Sequence, residues 1–409
     1  MNLTHTRVAI VGWMNSRRSG QSLLIGTIIV AYIGRFDPSR VFTSGPPIPI
    51  APIGISLVLV GTLVWLKYSG RSIRSDFSDS NPMIRWLCVF VAWMMVSAVW
   101  APYGARNLEA SLWLLMLAVL TSLGIVLFSS SRTDPNPAIW KTMIAIGLLL
   151  LLTALVDGPD HQGRYSALGG GPNVFVRVMA LGAIAATALA SYQRRLWPFL
   201  FLPIFVIGAI LSGSRGGLGA LVVAMMFAVP YALTRTVKAS PRTIAITITG
   251  MALTIAGAGL VFTDLVTRRY IQDTFLEFYP SVRLEILEHT LRLWRENPVI
   301  GTGVDGFFVV GSGHQHPHNI ILAPAAEGGT IGLALILVAI TVGVAAFIRG
   351  NRTLLSARFH ALSALAIFLA SLFSGDYYDT RFMWLFLGFA GVLVQRTNKK
   401  GSEELAWDR

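Results

Sequence analysis

Apolar runs of about 17–22 residues recur along the whole chain, each long enough to cross a hydrocarbon core of ~30 Å as a helix. In lipid every backbone polar group must be satisfied within the protein, and a helix does so within each run. Charged residues make up only 13% of the 409 residues, and hydrophobic ones 54%, whereas soluble domains carry about 25% charge. Candidate spans are read at 21–35, 47–66, 86–101, 108–129, 139–157, 172–191, 196–211, 215–234, 243–263, 319–348, 354–373 and 380–395, about 12 in all. The seventh is short and the tenth too long for a simple crossing. The first has no small-residue cleavage site and is read as a span rather than a leader. The expectation is an all-α polytopic membrane protein, with residues 1–409 forming a single integral membrane domain.

Charge sets the orientation. With both termini cytoplasmic, 21 of the 33 Lys and Arg fall on inside segments, and these include every Lys in the chain. That bias is what the positive-inside rule predicts. The segments 157–172, 212–216, 264–318 and 374–380 then face outward. The net charge of +13 follows from this topology and from contact with anionic lipid, not from nucleic-acid binding. Cys88, the one cysteine, has no disulfide partner and reads as core filler.

The outward segments hold the polar chemistry. Arg215 stands in Ser212-Gly213-Ser214-Arg215-Gly216-Gly217, between two spans with almost no loop. An ionisable residue at that depth is a functional candidate. Glycines expose backbone N–H groups, and a helix starting near Gly216 would add its positive end, so a phosphate is the natural guest. Arg283 opens a stretch with helical periodicity inside the 264–318 loop. Leu284, Leu287, Leu291 and Trp294 line one face of this stretch, while Glu285, Glu288, His289, Arg292 and Arg295 cover the rest. This predicts an amphipathic helix on the outer leaflet. Asn297-Pro298 and the glycines at 301, 303 and 306 then turn the chain back.

His314, His316 and His318 alternate as on an extended strand, without the carboxylate or the HExxH spacing of a metal site; no metal and no cofactor is expected. His318 precedes Asn319 and a long apolar helix. The positive helix end disfavours its protonated form, leaving an imidazole able to act as a general base. Asp157, Asp160, His161, Arg164 and Tyr165 form another outward loop, and Asp376, Tyr377, Tyr378, Asp379 and Arg381 a third. Tyr377 and Tyr378 read as an interfacial aromatic belt. Arg177, inside a span, needs an interior partner such as Asn173 or an acid, and Glu327 is read as a partner for an Arg.

Taken in order, several pieces resemble the O-antigen ligase and polymerase family of bacterial envelope glycosyltransferases. They are Gly171-Pro172-Asn173, Ser214-Arg215-Gly216-Gly217, Arg283 followed by Trp294, Asn297-Pro298 and Gly301-Thr302-Gly303, then His318-Asn319 and Glu327-Gly328-Gly329-Thr330-Ile331-Gly332. The resemblance covers residues 165–335. It implies a GT-C-like bundle in the bacterial inner membrane with its site on the periplasmic side. It also implies a metal-independent, inverting transferase that moves a glycan from undecaprenyl diphosphate to an acceptor sugar hydroxyl. The acceptor is lipid A-core in ligases and another lipid-linked glycan in polymerases; membrane lipids are the remaining partners, with no nucleic acid. By position, Arg215 and Arg283 match the diphosphate-holding residues and His318 the acceptor-activating one. Asn173, Asn319, Glu327, Arg164 and His316 are the further candidate substrate-binding residues. Only 34 residues separate Arg283 from His318, little protein for recognising a long glycan, and on that ground ligation to lipid A-core is favoured over polymerisation. A transporter or flippase of lipid-linked sugars is the competing class. Such proteins often carry internal repeats, and none is found; the polar candidates also gather on one face rather than along a path.

Overall fold

The computed structural model describes residues 17–34, 36, 50–69, 82–131, 133–236, 245, 249, 282–310, 316–349 and 354–407. Among them the chain is helical throughout. The α-helices are α1 (Arg17–Ile33), α2 (Ile50–Ser69), α3 (Pro82–Val96), α4 (Asn107–Ser130), α5 (Asn136–Asp157), α6 (Pro172–Gln193) and α7 (Phe201–Leu211). They continue with α8 (Arg215–Thr236), α9 (Val282–Glu296), α10 (Gly306–Val310), α11 (Leu322–Ile348), α12 (Leu355–Ser371) and α13 (Arg381–Trp407). Among the described residues, seven helices (α2, α3, α4, α5, α6, α8 and α11) are long and apolar enough to cross a membrane, and α1, α7 and α12 are shorter apolar helices. The protein is a polytopic membrane protein. Every predicted span falls on one of these helices except 243–263, which lies outside the described residues apart from Ala245 and Thr249. The short seventh span is α7 with a preceding 3-10 turn, Trp197–Leu200. The overlong tenth is α11, whose regular path breaks at Gly329. Helix α13 continues well past the predicted end at 395.

The bundle is organised around α6, which packs against α5, α7, α8 and α12. Its residues 175–191 are all buried, and many are Ala or Gly. Small side chains let helix backbones approach closely where lipid supplies no hydrophobic drive between helices. At Gly217 of α8 a Cβ would stand 2.1 Å from the Val176 side chain, so glycine is what permits this α6–α8 contact.

One charge on α6 is nevertheless buried. Arg177, 3% exposed, donates through Nη2 to Ser374 O at 2.6 Å and lies 3.5 Å from Asp379 Oδ2. The acid anticipated for Arg177 is thus Asp379. The same carboxylate lies 3.7 Å from Arg381 Nη1, and Arg381 Nε donates to Ala31 O. The cluster ties α1, α6 and α13 together at the end of the bundle where α6 begins. Removing the shared acid leaves two guanidiniums facing each other away from water, a loss of about 3–5 kcal/mol for breaking a buried pair. Asp379→Ala should therefore lower the melting temperature of the detergent-purified protein by many degrees, and an unchanged melting curve would show that the cluster contributes nothing to stability.

Candidate functional site

The geometry of the site begins with the break in α11. Gly329 has φ +66 and ψ −165 inside an otherwise helical run, a conformation open mainly to glycine. The break detaches helical carbonyls on one side and N–H groups on the other, and the loop after α9 takes up both sets. Thr302 N donates to Ala326 O at 2.9 Å and Gly303 N to Glu327 O at 2.9 Å. In return Thr330 N donates to Pro298 O at 2.8 Å and Ile331 N to Val299 O at 3.4 Å. Trp93 Nε1 on α3 donates to Gly328 O at 2.9 Å. The two motifs Asn297-Pro298…Gly301-Thr302-Gly303 and Glu327-Gly328-Gly329-Thr330 are therefore the two halves of one clasp. Gly301 has φ +71, and a Cβ there would stand 2.4 Å from the Glu327 carbonyl carbon, so the approach requires glycine as well.

The clasp also sets α9 against the bundle. The predicted amphipathic helix is present, but the face it buries is not the leucine face. Ile286, His289, Thr290 and Leu293 are buried, with Ile286 and Leu293 packed on Phe307 and Ala326. Leu284 is exposed, and Leu287, Leu291 and Trp294 are only half-buried. The helix has three faces: one turned to protein, one apolar and open, and one polar. His289 belongs to the protein face rather than the polar one, because the docking partners of α9 lie far away in sequence.

Beyond the clasp the chain meets the start of α4. Val304 N donates to Ser97 Oγ at 2.9 Å. Asp305, with φ +56 and 6% exposed, accepts from Arg106 N at 2.9 Å and Arg106 Nε at 3.1 Å. The bond to Asp305 raises the Arg106 pKa, and the guanidinium lies 3.9 Å from the centre of the Phe308 ring. Glu327, 4% exposed, accepts from the Tyr377 hydroxyl at 2.7 Å. This corrects two expectations: the partner found for Glu327 is a phenol rather than an Arg, and Tyr377 faces inward rather than forming a belt. Tyr378, 1% exposed, is likewise interior. Burial first, then the adjacent carboxylate, pushes the Tyr377 phenol well above its ordinary pKa, so it remains a donor. These groups border a cavity of about 180 Å³ whose wall also includes His316 and Asn319.

A cationic region is built separately. Gly213, with φ +61, turns the chain from α7 into α8, and Arg215 is the first residue of α8. Asn173, one residue after the Pro172 that opens α6, accepts from Ser214 Oγ at 2.8 Å and from Arg164 Nη2 at 3.1 Å. Arg164 Nε donates to Ser212 O at 3.0 Å. Arg164 and Asn173 thus hold the turn that presents Arg215. Arg215 and Arg283 are both exposed. Partial desolvation, and then the charge of Arg215, lower the pKa of Arg283, so the two guanidiniums lie within Coulombic reach.

His318, half-buried with φ +52, sits just before the cap of α11. Asn319 Oδ1 accepts from Ile321 N at 2.9 Å and Leu322 N at 3.1 Å, while its Nδ2 donates to Leu372 O at 3.0 Å. Ile320 N donates to Ser371 O at 3.0 Å. Asn319 is therefore a helix cap that pins His318 to the end of α12. On that same turn a Cβ at Gly216 would stand 2.8 Å from Phe373 Cβ. The segments carrying Arg215 and His318 converge on residues 371–373. The rings of His316 and His318 are 6.2 Å apart; His314 lies outside the described residues. Sequence reasoning missed Arg106, Asp305 and Trp93, whose partners are about 200 residues away in the chain and leave no local signal.

Residues 199–337 match the family model Wzy_C, described as O-Antigen ligase. That segment, about a third of the chain, is similar to the O-antigen ligase family. It contains Arg215, Arg283, His316, His318, Asn319 and Glu327, whereas Arg106, Arg164, Asn173 and Tyr377 lie outside the match. No curated protein matches the chain. The family and the helical bundle together support a glycosyltransferase-like membrane role in O-antigen assembly.

The clasp generates its own test. Gly329→Ala would put a Cβ 2.1 Å from Val299 O at a positive φ, and Gly301→Ala would strike the other half. Each should destabilise the protein by about 2–4 kcal/mol. Because both break one unit, the double variant should fall well short of the sum. Additive losses in a thermal-unfolding cycle would mean that the two glycines act independently.

Proposed function

We propose that the protein is a membrane glycosyltransferase that moves a glycan from undecaprenyl diphosphate to a sugar hydroxyl of lipid A-core on the periplasmic face. What supports this reading is the grouping of two like-charged guanidiniums, Arg215 and Arg283, with the His318 segment about the end of α12, within a segment that matches an O-antigen ligase family. The donor already carries a good leaving group, so catalysis needs charge stabilisation on the departing diphosphate and alignment of the nucleophile. Arg215 and Arg283 offer planar, forked donors to phosphate oxygens, which Lys could not match. Their charge takes the part that a divalent cation plays in other glycosyl transfers. His318 removes the proton as the acceptor oxygen attacks C1. The C1–O bond to the diphosphate breaks on the opposite side, the electron pair leaves with the diphosphate oxygen, and the configuration at C1 inverts. Arg164, Asn173 and Asn319 act one step back, by holding Arg215 and His318 in place.

Arg215→Ala and His318→Ala should each reduce transfer by about 10²-fold or more while the protein still inserts and unfolds normally. Arg215→Lys should be impaired through loss of the forked geometry; wild-type rates would show that charge alone suffices. The assay is purified protein with an undecaprenyl-diphosphate-linked glycan and two acceptors offered together. Product on lipid A-core establishes ligation, whereas lengthened lipid-linked chains would make the protein a polymerase. Absence of bond formation with both would favour a transporter. Activity should also withstand exhaustive EDTA treatment; a loss restored by one divalent ion would overturn the metal-independent scheme.

A further inference from the structure

The cavity of about 180 Å³ is distinct in charge from the Arg215–Arg283 region, and neither of those residues lines it. Its polar wall carries four carboxylates, Glu109, Asp305, Glu327 and Asp376, against one guanidinium, Arg106, which Asp305 already binds. Part of its apolar wall is aromatic. The rings of Trp113 and Tyr378 are 4.8 Å apart, and Trp113 Nε1 points to Glu109 Oε1 at 3.5 Å. His316 closes one side, and its ring is 6.2 Å from that of His318.

Aromatic faces beside carboxylates suit a sugar ring, whose C–H face stacks and whose hydroxyls donate to carboxylate oxygens. The volume is small against the ~300–1,000 Å³ typical of ligand pockets, so one ring fits rather than an oligosaccharide. A phosphate or uronate carboxylate on that ring would face the carboxylates of Glu109 and Asp376 in a partly enclosed space, Asp305 being bound by Arg106 and Glu327 holding the Tyr377 hydroxyl, and like-charge juxtaposition is a strong means of rejection. We propose that this cavity receives the reacting ring of the acceptor and selects a neutral or amino-bearing sugar over one that carries phosphate or carboxylate. The inference rests on the glycosyltransferase reading and adds a rule to it. The diphosphate of the donor is held on the cationic side, and the acceptor ring is screened for negative charge on the acidic side.

The test uses purified protein, the undecaprenyl-diphosphate-linked donor and two acceptor lipids that differ only in the terminal ring, a neutral hexose or the corresponding hexuronate. The wild type should favour the hexose by about tenfold or more in kcat/KM, the factor that ~1.4 kcal/mol of repulsion gives. Glu109→Gln with Asp376→Asn should reduce that preference several-fold, chiefly through the KM for the hexuronate. Should the double variant fold poorly, Glu109→Gln alone changes an exposed carboxylate and should move the ratio in the same direction. Equal use of the two acceptors by the wild type, or a ratio that neither variant moves, overturns the charge rule while leaving glycosyl transfer standing. A different failure is recognisable as well: if donor diphosphate is released with neither acceptor, the glycosyltransferase reading falls and this inference with it.

Discussion

The exchange of hydrogen bonds between the broken helix α11 and the Asn297–Gly303 loop is the feature on which this end of the bundle depends. A helix interrupted in its course leaves N–H and C=O groups without their intrahelical partners, and such groups need partners elsewhere. Here the carbonyls of Ala326 and Glu327 receive Thr302 N–H and Gly303 N–H, and Thr330 and Ile331 donate to Pro298 O and Val299 O. Once that exchange is made, the direction of α9, the position of Asp305 beside Arg106 and the burial of Glu327 beside Tyr377 follow. An uninterrupted α11 would need no such loop. The break is therefore what docks α9 and the loop after it onto the bundle.

The same end of the molecule separates charge by sign. Arg215 and Arg283 lie close enough for one to depress the pKa of the other, while carboxylates gather around the cavity beside His316. Between them stands the end of α12. Its turn takes Asn319 and Ile320 on one side and approaches Gly216 on the other. Beneath, Asp379 joins Arg177 and Arg381 and fixes α6 and α13 to each other. A rigid packed end suits a reaction in which an anionic leaving group and an uncharged nucleophile must be aligned, since preorganised charge avoids reorganisation at the moment of reaction.

The residues proposed for chemistry were legible because intramembrane charge is rare and therefore conspicuous. Arg215 stands out on that ground, between two spans, whereas His318 stands out as an imidazole at the start of a long apolar helix. The partners that position them did not. Asn173 and Asn319 read as ligand contacts, yet their amides hold Ser214, Arg164 and the cap of α11. Tyr377 and Tyr378 read as an interfacial belt, whereas one donates to Glu327 and the other is buried. In α9 periodicity marks the leucine stripe, but the helix turns Ile286, His289, Thr290 and Leu293 to the protein. Periodicity detects an apolar stripe; it does not say whether lipid or protein covers it.

By itself the sequence determined the class of fold, the approximate position of the spans and the side chains with unusual charge for their depth. These are one-dimensional properties: a run of about twenty apolar residues must be helical in lipid, and a lone Arg within it must meet a counter-group. It also carried the glycines of the clasp, though not their purpose. Tertiary structure decided which groups meet: Arg106 with Asp305, Glu327 with Tyr377, Arg177 with Asp379 and Trp93 with the carbonyl of Gly328. Each pair joins residues widely separated along the chain, and such pairing is set by how whole helices pack, which no local pattern encodes.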